Sequence, residues 1–351
     1  MANPVLPKFV DYGGLTTVPS PFQSIGTTLY AFILEADLEK LRAFCKQVFA
    51  DPSHGRAEYV PLSRFVMMTV GNIEQIIPAA PYDQIGYSSE GQVAFWIFTA
   101  AVKRLGNVMI AERPAVFVPY IFVHNAFSFA CGREVEGYPK SWGWFDFPEE
   151  ANHKTPPPPL DNFTLDTWGL KEYKPTAKVE RTRLLEITRG DLAPGELRHT
   201  PWNTLGEAFD DVKNLIFDTS HDGTIVLPGL QMAENLFEDL IKHQLPEVFM
   251  KQYRDARDAT DACYQAIVEI PNVVKKFAGL PLSDKYNFKL EEVASHPLAQ
   301  QLGLQSQESA LSFWLKMDFV VEDGKVIWQA PTGSAPGCLP GLLGKLLGKS
   351  F

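Results

Sequence analysis

At 351 residues the chain is long for one domain, yet length alone does not demand two. An apolar fraction of 45% with 12% aromatics supplies a sizeable core, and no window approaches the ~20 unbroken apolar residues of a membrane span, which excludes a transmembrane segment. A net charge of -10, with Lys and Arg scattered, excludes nucleic acid as a partner, because phosphate backbones are met by clustered positive charge.

Met1 to Ser24 is rich in Pro, Gly and Thr without a sustained period and reads as an N-terminal surface arm. Tyr30 to Leu34 is strand-like, and Asp37 then caps a helix whose Leu38, Leu41, Phe44, Cys45 and Val48 recur at helical spacing. Further strands are expected over Arg64 to Val70, Gln92 to Phe98, Ala115 to Val123, Tyr264 to Ile270, Phe313 to Val321 and Lys325 to Gln329. Glu322-Asp323-Gly324 separates the last two and predicts a hairpin, since Asp-Gly tolerates positive φ.

Pro156 to Pro159 can be neither helix nor central strand, so Glu149 to about Glu180 is expected as a long connection or lid. Between Trp202 and Asp255, Leu230, Met232, Leu236, Leu240 and Ile241 cluster on one helical face and predict an added helical layer, part of an insertion at about 150–255. From Pro331 to Phe351 a Gly-rich tail ends in leucines and lysines. It is either a short basic amphipathic helix touching a membrane surface or, as its composition favours, a frayed terminus or an arm packed on a neighbouring subunit, since its glycines disfavour helix by about 1 kcal/mol each. Several strands with grouped helices predict an α+β fold, a single domain over 25–330 built on a strongly curved or closed sheet.

Cys45, Cys131, Cys263 and Cys338 form no Cys-x-x-Cys pair, and Met1 to Phe9 lacks the layout of a signal peptide, so a cytoplasmic setting is expected. The histidines form no His-x-x-x-His pair and none stands at zinc spacing from a cysteine, so no metal is expected. No Gly-x-Gly-x-x-Gly follows a strand, and no phosphate-cradling Gly-x-x-x-x-Gly-Lys-Ser/Thr loop is present. The chemistry is therefore assigned to side chains, with no cofactor.

The stretch from Ala130 to Gly143 carries that chemistry. Read as extended, its two-residue period places Glu134, Glu136, Tyr138 and Lys140 on one face. Phe127, Phe129, Trp142 and Trp144 lie nearby and are expected to exclude water from Lys140. Exclusion matters because only an unprotonated amine attacks a carbonyl, while an ordinary lysine titrates near about 10.4. Burial disfavours the ammonium, and a protonated imine, once formed, draws electrons from the bond beyond the former carbonyl.

Gly132-Arg133-Glu134, then Tyr138-Pro139-Lys140 and Gly143, resemble the signature of the acetoacetate decarboxylase family, whose imine-forming lysine directly follows an aromatic-Pro pair. Tyr87, Gly91 and Gln92 resemble the segment around that family's catalytic glutamate, Tyr30 to Leu41 its first strand and helix, and Phe313 to Gln329 a closing hairpin of larger relatives. The resemblance covers roughly Pro19 to Phe147 and Ala262 to Gln329. It implies a strongly curved antiparallel sheet closing into a β-barrel-like core, with the helical layer as an addition.

The same resemblance exposes departures. Ser141 replaces a second lysine, Thr27 stands near the family's arginine, Val66 near one glutamate, and Ser89 at the catalytic glutamate with Glu90 one place away. Desolvation would then have to activate Lys140 alone. The implied site comprises Lys140 as imine former and Glu136 as acid or base, with Ser89, Glu90, Arg133 and Glu134 at the substrate; Arg133 is expected to neutralise Glu134. The implied function is a cofactor-independent lyase that decarboxylates a β-keto acid or related small carbonyl compound, and the implied assembly is a homo-oligomer. The alternatives are a Schiff-base aldolase or dehydratase, or a noncatalytic binding protein that retains the pocket.

Overall fold

The computed structural model of the chain describes residues 8–10, 17, 20–106, 108–155, 157–190, 201–204, 206–208, 212, 225–226 and 245–331. In chain order its elements are β1 (Phe22–Glu35), α1 (Leu38–Cys45), β2 (Tyr59–Pro78), β3 (Ser88–Leu105), β4 (Val108–Val123) and α2 (Ala126–Cys131). Then follow β5 (Lys140–Trp142), β6 (Phe163–Gly169), β7 (Glu180–Arg189), β8 (Ile225–Val226) and β9 (Leu245–Arg254). The chain continues with β10 (Ala262–Pro281), β11 (Tyr286–Leu290), α3 (Leu298–Leu302), β12 (Gln307–Glu308), β13 (Leu311–Val321) and β14 (Lys325–Gln329). The result is a mostly-sheet α+β fold around one large curved sheet. Among the described residues no helix is long and apolar enough to cross a membrane.

β1 to β4 form an antiparallel meander. β4 meets β9 in parallel only at Val116 and Phe117, and β9 pairs antiparallel with β10. β13 hydrogen-bonds β1 along one edge and β10 along the other. A second, antiparallel sheet in the order β12-β11-β7-β6 packs beside the first.

Both faces of the large sheet are covered, so its strands read as continuous apolar runs. Tyr30, Phe32 and Leu34 of β1 bury one face against α1 and the second sheet, through Leu41, Leu165, Leu185, Tyr286 and Phe288. Leu29, Ala31 and Ile33 point to the opposite face, which they share with Trp202, Phe313 and Leu315. Farther along that opposite face lie Ala94, Val116, Tyr138, Phe249 and Val268. Full burial of a ring such as Phe32 contributes about 2–3 kcal/mol, so these two layers carry most of the cohesion.

Three expectations change. The segment after Gly324 does not fold back on β13. β13 runs along β10 from Pro281 to Asn272, and β14 continues in the same direction from Glu269 to Ala266, so 322–324 forms a bulge between two collinear strands. Gly324 does not adopt positive φ, and the Glu322 N–H is taken by Pro271 O at 3.0 Å, which removes the reason for a turn. The stretch expected as a lid holds β6, whose strand partner β7 begins at Glu180, because Phe163, Leu165, Leu184, Leu185 and Ile187 have a core to join. Within Trp202 to Asp255 residues 206–208 and 212 are helical, whereas Ile225–Val226 and Leu245–Arg254 are strands. Leu230, Met232, Leu236, Leu240 and Ile241, most of the N-terminal arm, and the tail after Pro331 lie outside the described residues.

The cap on α1 is as expected: Asp37 is extended (φ -87°, ψ 110°), and its Oδ1 accepts from Glu39 N at 2.9 Å and Lys40 N at 3.2 Å. Asp37→Ala leaves both donors without that partner and is expected to cost about 1 kcal/mol, seen as a lower urea midpoint at unchanged slope. An unchanged midpoint would mean that Leu41 and its packing hold α1 without the cap.

Candidate active site

The site forms where a short helix turns into a strand beside the end of β3. Asn125 is extended (φ -130°, ψ 146°), and its Oδ1 accepts from Ser128 N at 2.6 Å, which starts α2. Its Nδ2 donates to Ser89 O at 2.7 Å, tying that start to β3. α2 then widens into a π-type turn over Gly132–Glu136, ended by Gly137 at φ +89°. Gly132 O accepts from both Gly137 N and Tyr138 N at 2.8 Å. Pro139 cannot rejoin the helix. The next residues run as β5, parallel to β4, with Lys140 opposite Ile121 and Trp142 opposite Val123.

This path aims Lys140 inward, 6% exposed. Its Nζ donates to Glu90 Oε2 at 2.6 Å and to Ser128 Oγ at 3.0 Å, and the Ser128 hydroxyl donates to the same carboxylate oxygen. The stem of the lysine fits because residue 132 is glycine: a Cβ there would sit 2.6 Å from both Cδ and Cε of Lys140. The ring nearest the amine is Tyr138, with its centroid 5.6 Å from Nζ.

Around this triad lie further ionisable groups. Glu136 is 5% exposed and its Oε1 has no hydrogen-bond partner among the described residues. Burial pushes its carboxyl up to about 7, against the opposing charges of Lys140 and Lys251. Glu247, half-buried on β9, is hydrogen-bonded by the Tyr138 and Asn272 side chains, and burial also pushes its carboxyl up to about 7 despite those bonds. Burial, reinforced by Glu247 and Glu136, raises the Tyr138 phenol well above its ordinary value, so it remains a donor. Lys251 packs its Cβ against Gly137 and donates its Nζ to Val135 O. Burial lowers its ammonium below the usual range while Glu136 and Glu134 work in the other direction.

Lys140, Glu136 and Glu90 are thus brought together, but not by an extended strand. The capped helix at Asn125 and the left-handed Gly137 replace the two-residue alternation, and it is the reversal at Gly137 that returns Lys140 toward Glu136. Ser89 is exposed and contributes its backbone carbonyl to the helix cap, while the neighbouring Glu90, on the alternate face of β3, supplies the buried carboxylate. Arg133 does not neutralise Glu134. Its Nη1 donates to Lys140 O at 3.0 Å and its guanidinium lies 5.5 Å from the Phe129 ring, whereas the Glu134 carbonyl accepts from Tyr253.

Nor do the four expected aromatics enclose the amine. Phe127 is exposed, Trp142 and Trp144 pack edge to face on each other, and Trp144 continues onto Trp168; only Phe129 joins the apolar cluster of Tyr138. The amine's own neighbours are polar. Sequence reasoning missed Ser128, Glu247, Lys251 and Asn272. The alternation of Glu247, Phe249 and Lys251 with Val248 and Met250 is the one signal that could have revealed β9 and its inward charges.

No family model and no curated protein matches the sequence. Solved structures do match. An acetoacetate decarboxylase from Legionella pneumophila superposes with a TM-score of 0.54 at 14% identity, covering 93% of each chain. Another acetoacetate decarboxylase structure matches at a TM-score of 0.49 and 14% identity, over 90% of this chain and 92% of that one. An acetoacetate decarboxylase-like enzyme from Sphingomonas wittichii gives 0.49 at 11% identity, over 91% and 97%. The first of these likenesses shows a shared fold.

The raised carboxyls make stability depend on pH. Folded Glu136 titrates at about 7, whereas an unfolded glutamate does so near about 4.3. Its contribution is therefore complete below the unfolded value and is lost as pH rises through about 7, a change on the order of 3 kcal/mol. Glu136→Gln is expected to flatten the decline in urea midpoint between about pH 5 and pH 8. A wild-type decline that the substitution leaves untouched would show that Glu136 is not held protonated.

Proposed function

We propose that the chain is a lyase in which Lys140 forms an imine with a small carbonyl substrate and the bond between the α and β carbons of that imine then breaks. The observation that carries this reading is the buried amine of Lys140, 2.6 Å from Glu90 Oε2 and 3.0 Å from Ser128 Oγ, in a fold shared with an acetoacetate decarboxylase. The reading takes the strongly curved sheet as a barrel-like core, which the pairing of β13 with both β1 and β10 supports.

In this mechanism Glu90 takes the proton that Lys140 must give up before its nitrogen can attack. Nζ adds to the carbonyl carbon, and the resulting carbinolamine loses water to become a protonated imine. The bond beyond it breaks with its electron pair moving into the imine, which becomes an enamine. Glu136, holding a proton near neutrality, returns it to carbon. Water then hydrolyses the imine, releasing product and restoring the amine. Loss of CO2 from a β-keto acid and cleavage of an aldol both run through that enamine.

Incubation with carbonyl compounds and borohydride should reduce the imine and leave a stable adduct, which peptide mass spectrometry should locate on Lys140. Lys140→Ala is expected to abolish the adduct and to lower turnover by about 10³-fold or more in a folded protein. Lys140→Arg should fail equally, because a guanidinium stays protonated and cannot attack. Retained labelling or turnover in folded Lys140→Ala would remove Lys140 from the reaction.

A further inference from the structure

We propose that the site around Lys140 takes an uncharged β-oxygenated ketone, such as a β-hydroxy ketone, and discriminates against keto acids. This rests on the imine reading above and specifies its substrate.

The first argument is charge. Glu90 faces Lys140 from β3, Ser128 from α2 and Tyr138 from the turn that follows; Glu136 of that turn and Glu247 of β9 feel its charge, with Lys251 of β9 beside Glu136 and Asn272 of β10 bonded to Glu247. Glu90, Glu136 and Glu247 are carboxyls, against the amines of Lys140 and Lys251. Lys140 is committed to Glu90 and to the imine. Lys251 is committed to Val135 O, with Glu136 and Glu134 in its field. Arg133 is exposed and turned onto Lys140 O and the Phe129 ring. Among the described residues of this cluster, each of these cations already has a partner. A substrate carboxylate would instead join Glu90 and, as pH rises through about 7, the ionising Glu136 and Glu247, where screening by water is weak.

The second argument is the kind of polar atom that remains. Glu136 Oε1, Ser24 Oγ and Thr27 Oγ1 are buried without a hydrogen-bond partner among the described residues. Ser24 is 0% exposed and Thr27 1%. Thr27 stands opposite Ile73, and Ile73 opposite Glu90, so Thr27 and Glu90 share a face of the sheet two strands apart, about 10 Å. Ser24 stands opposite Phe319, which packs in the apolar cluster of Tyr138 and Phe249. Hydroxyls and a protonated carboxyl hydrogen-bond neutral oxygens.

For a β-hydroxy ketone the atoms balance without an outside oxidant. Imine formation releases water, and the hydroxyl proton passes to a carboxylate of the cluster. The bond between the α and β carbons breaks, an aldehyde leaves, and the electron pair remains as enamine. That proton is returned to the α carbon, and water hydrolyses the imine to the second ketone and free Lys140.

Acetoacetate and its methyl ester differ by one charge on one skeleton. The full chain is labelled with each under cyanoborohydride, and the concentration giving half-maximal modification of Lys140 is read by mass spectrometry. The ester is expected to half-saturate at a concentration at least about tenfold lower. That ratio should widen from about pH 6 to pH 8 as Glu136 and Glu247 ionise. It should narrow in Glu136→Gln and in Glu247→Gln, each verified as folded by circular dichroism. Equal or stronger labelling by acetoacetate overturns the proposal while leaving the imine at Lys140 intact. A ratio unmoved in both glutamine variants also overturns it, since the acids would not be its source. Modification of Lys140 by neither compound overturns the imine reading, and this proposal with it.

Discussion

The centre of the molecule depends on the missing Cβ of Gly132. Any side chain there would occupy the space of the Lys140 stem, at 2.6 Å from its Cδ and Cε. The stem lies against the turn while Nζ reaches both Glu90 and Ser128. These contacts bind three separate elements: Glu90 on β3, Ser128 on α2 and Lys140 on β5. A buried ion pair of this kind adds little net stability over an apolar pair, but losing one partner leaves an uncompensated charge in the interior, at roughly 3–5 kcal/mol. The pair therefore fixes arrangement more than it adds cohesion, holding a short helix, a wide turn and a three-residue strand in one geometry.

Cohesion comes from the two apolar layers, and the polar cluster sits at the edge of one of them. Tyr138 belongs to both. Its ring packs edge to face on Phe249 with centroids 4.5 Å apart, while its hydroxyl serves Glu247. Through that residue the apolar layer sets the electrostatics, since the burial that stabilises the ring also desolvates the acids beside it. Glu136 and Glu247 are both pushed up to about 7, and each feels Lys140 and Glu90. Burial is the first cause of both shifts, so the packing that orders the ring also favours the protonated form of each acid.

Much of this was legible in the residues, and the limits are physical. Strands buried on both faces announce themselves as long apolar runs, so β1 to β4, β10 and β13 could be placed, and Asp37 announced its helix by its capping chemistry. Lys140 was singled out by its place after Tyr138-Pro139. What could not be read was the path from Asn125 to Lys140. Alternating Glu134, Glu136, Tyr138 and Lys140 fit a strand on paper. The decisive local terms were one side-chain cap at Asn125 and one left-handed glycine at 137, neither of which has a period. Glu247, Lys251 and Asn272 were hidden for another reason: they reach the site through β9 and β10, more than a hundred residues away in sequence. Asp323-Gly324 has the composition of a tight turn, yet β10 offers one continuous edge to the strands on either side of it, and pairing with that edge overrides the turn preference.

That contribution from distant strands follows from how the edge of β4 is divided. β9 runs beside β4 only at Val116 and Phe117, opposite Glu247 and Val248, and then stays with β10. Farther along the same edge, at Ile121 to Val123, the partner is β5. Where β9 departs, β4 would be left with unpaired carbonyls and amides in a buried place, and a strand as short as β5 is sufficient to satisfy them. Lys140 is the first residue of that replacement strand. The departure of β9 also leaves Lys251 against Gly137 and Glu247 beneath Tyr138, on the far side of the same gap. The stretch of β4 that requires a substitute strand is thus the place where Lys140 is set beside its carboxyls. A sheet in which β4 and β9 remained paired to their ends would satisfy its backbone without β5 and would have no place for the site.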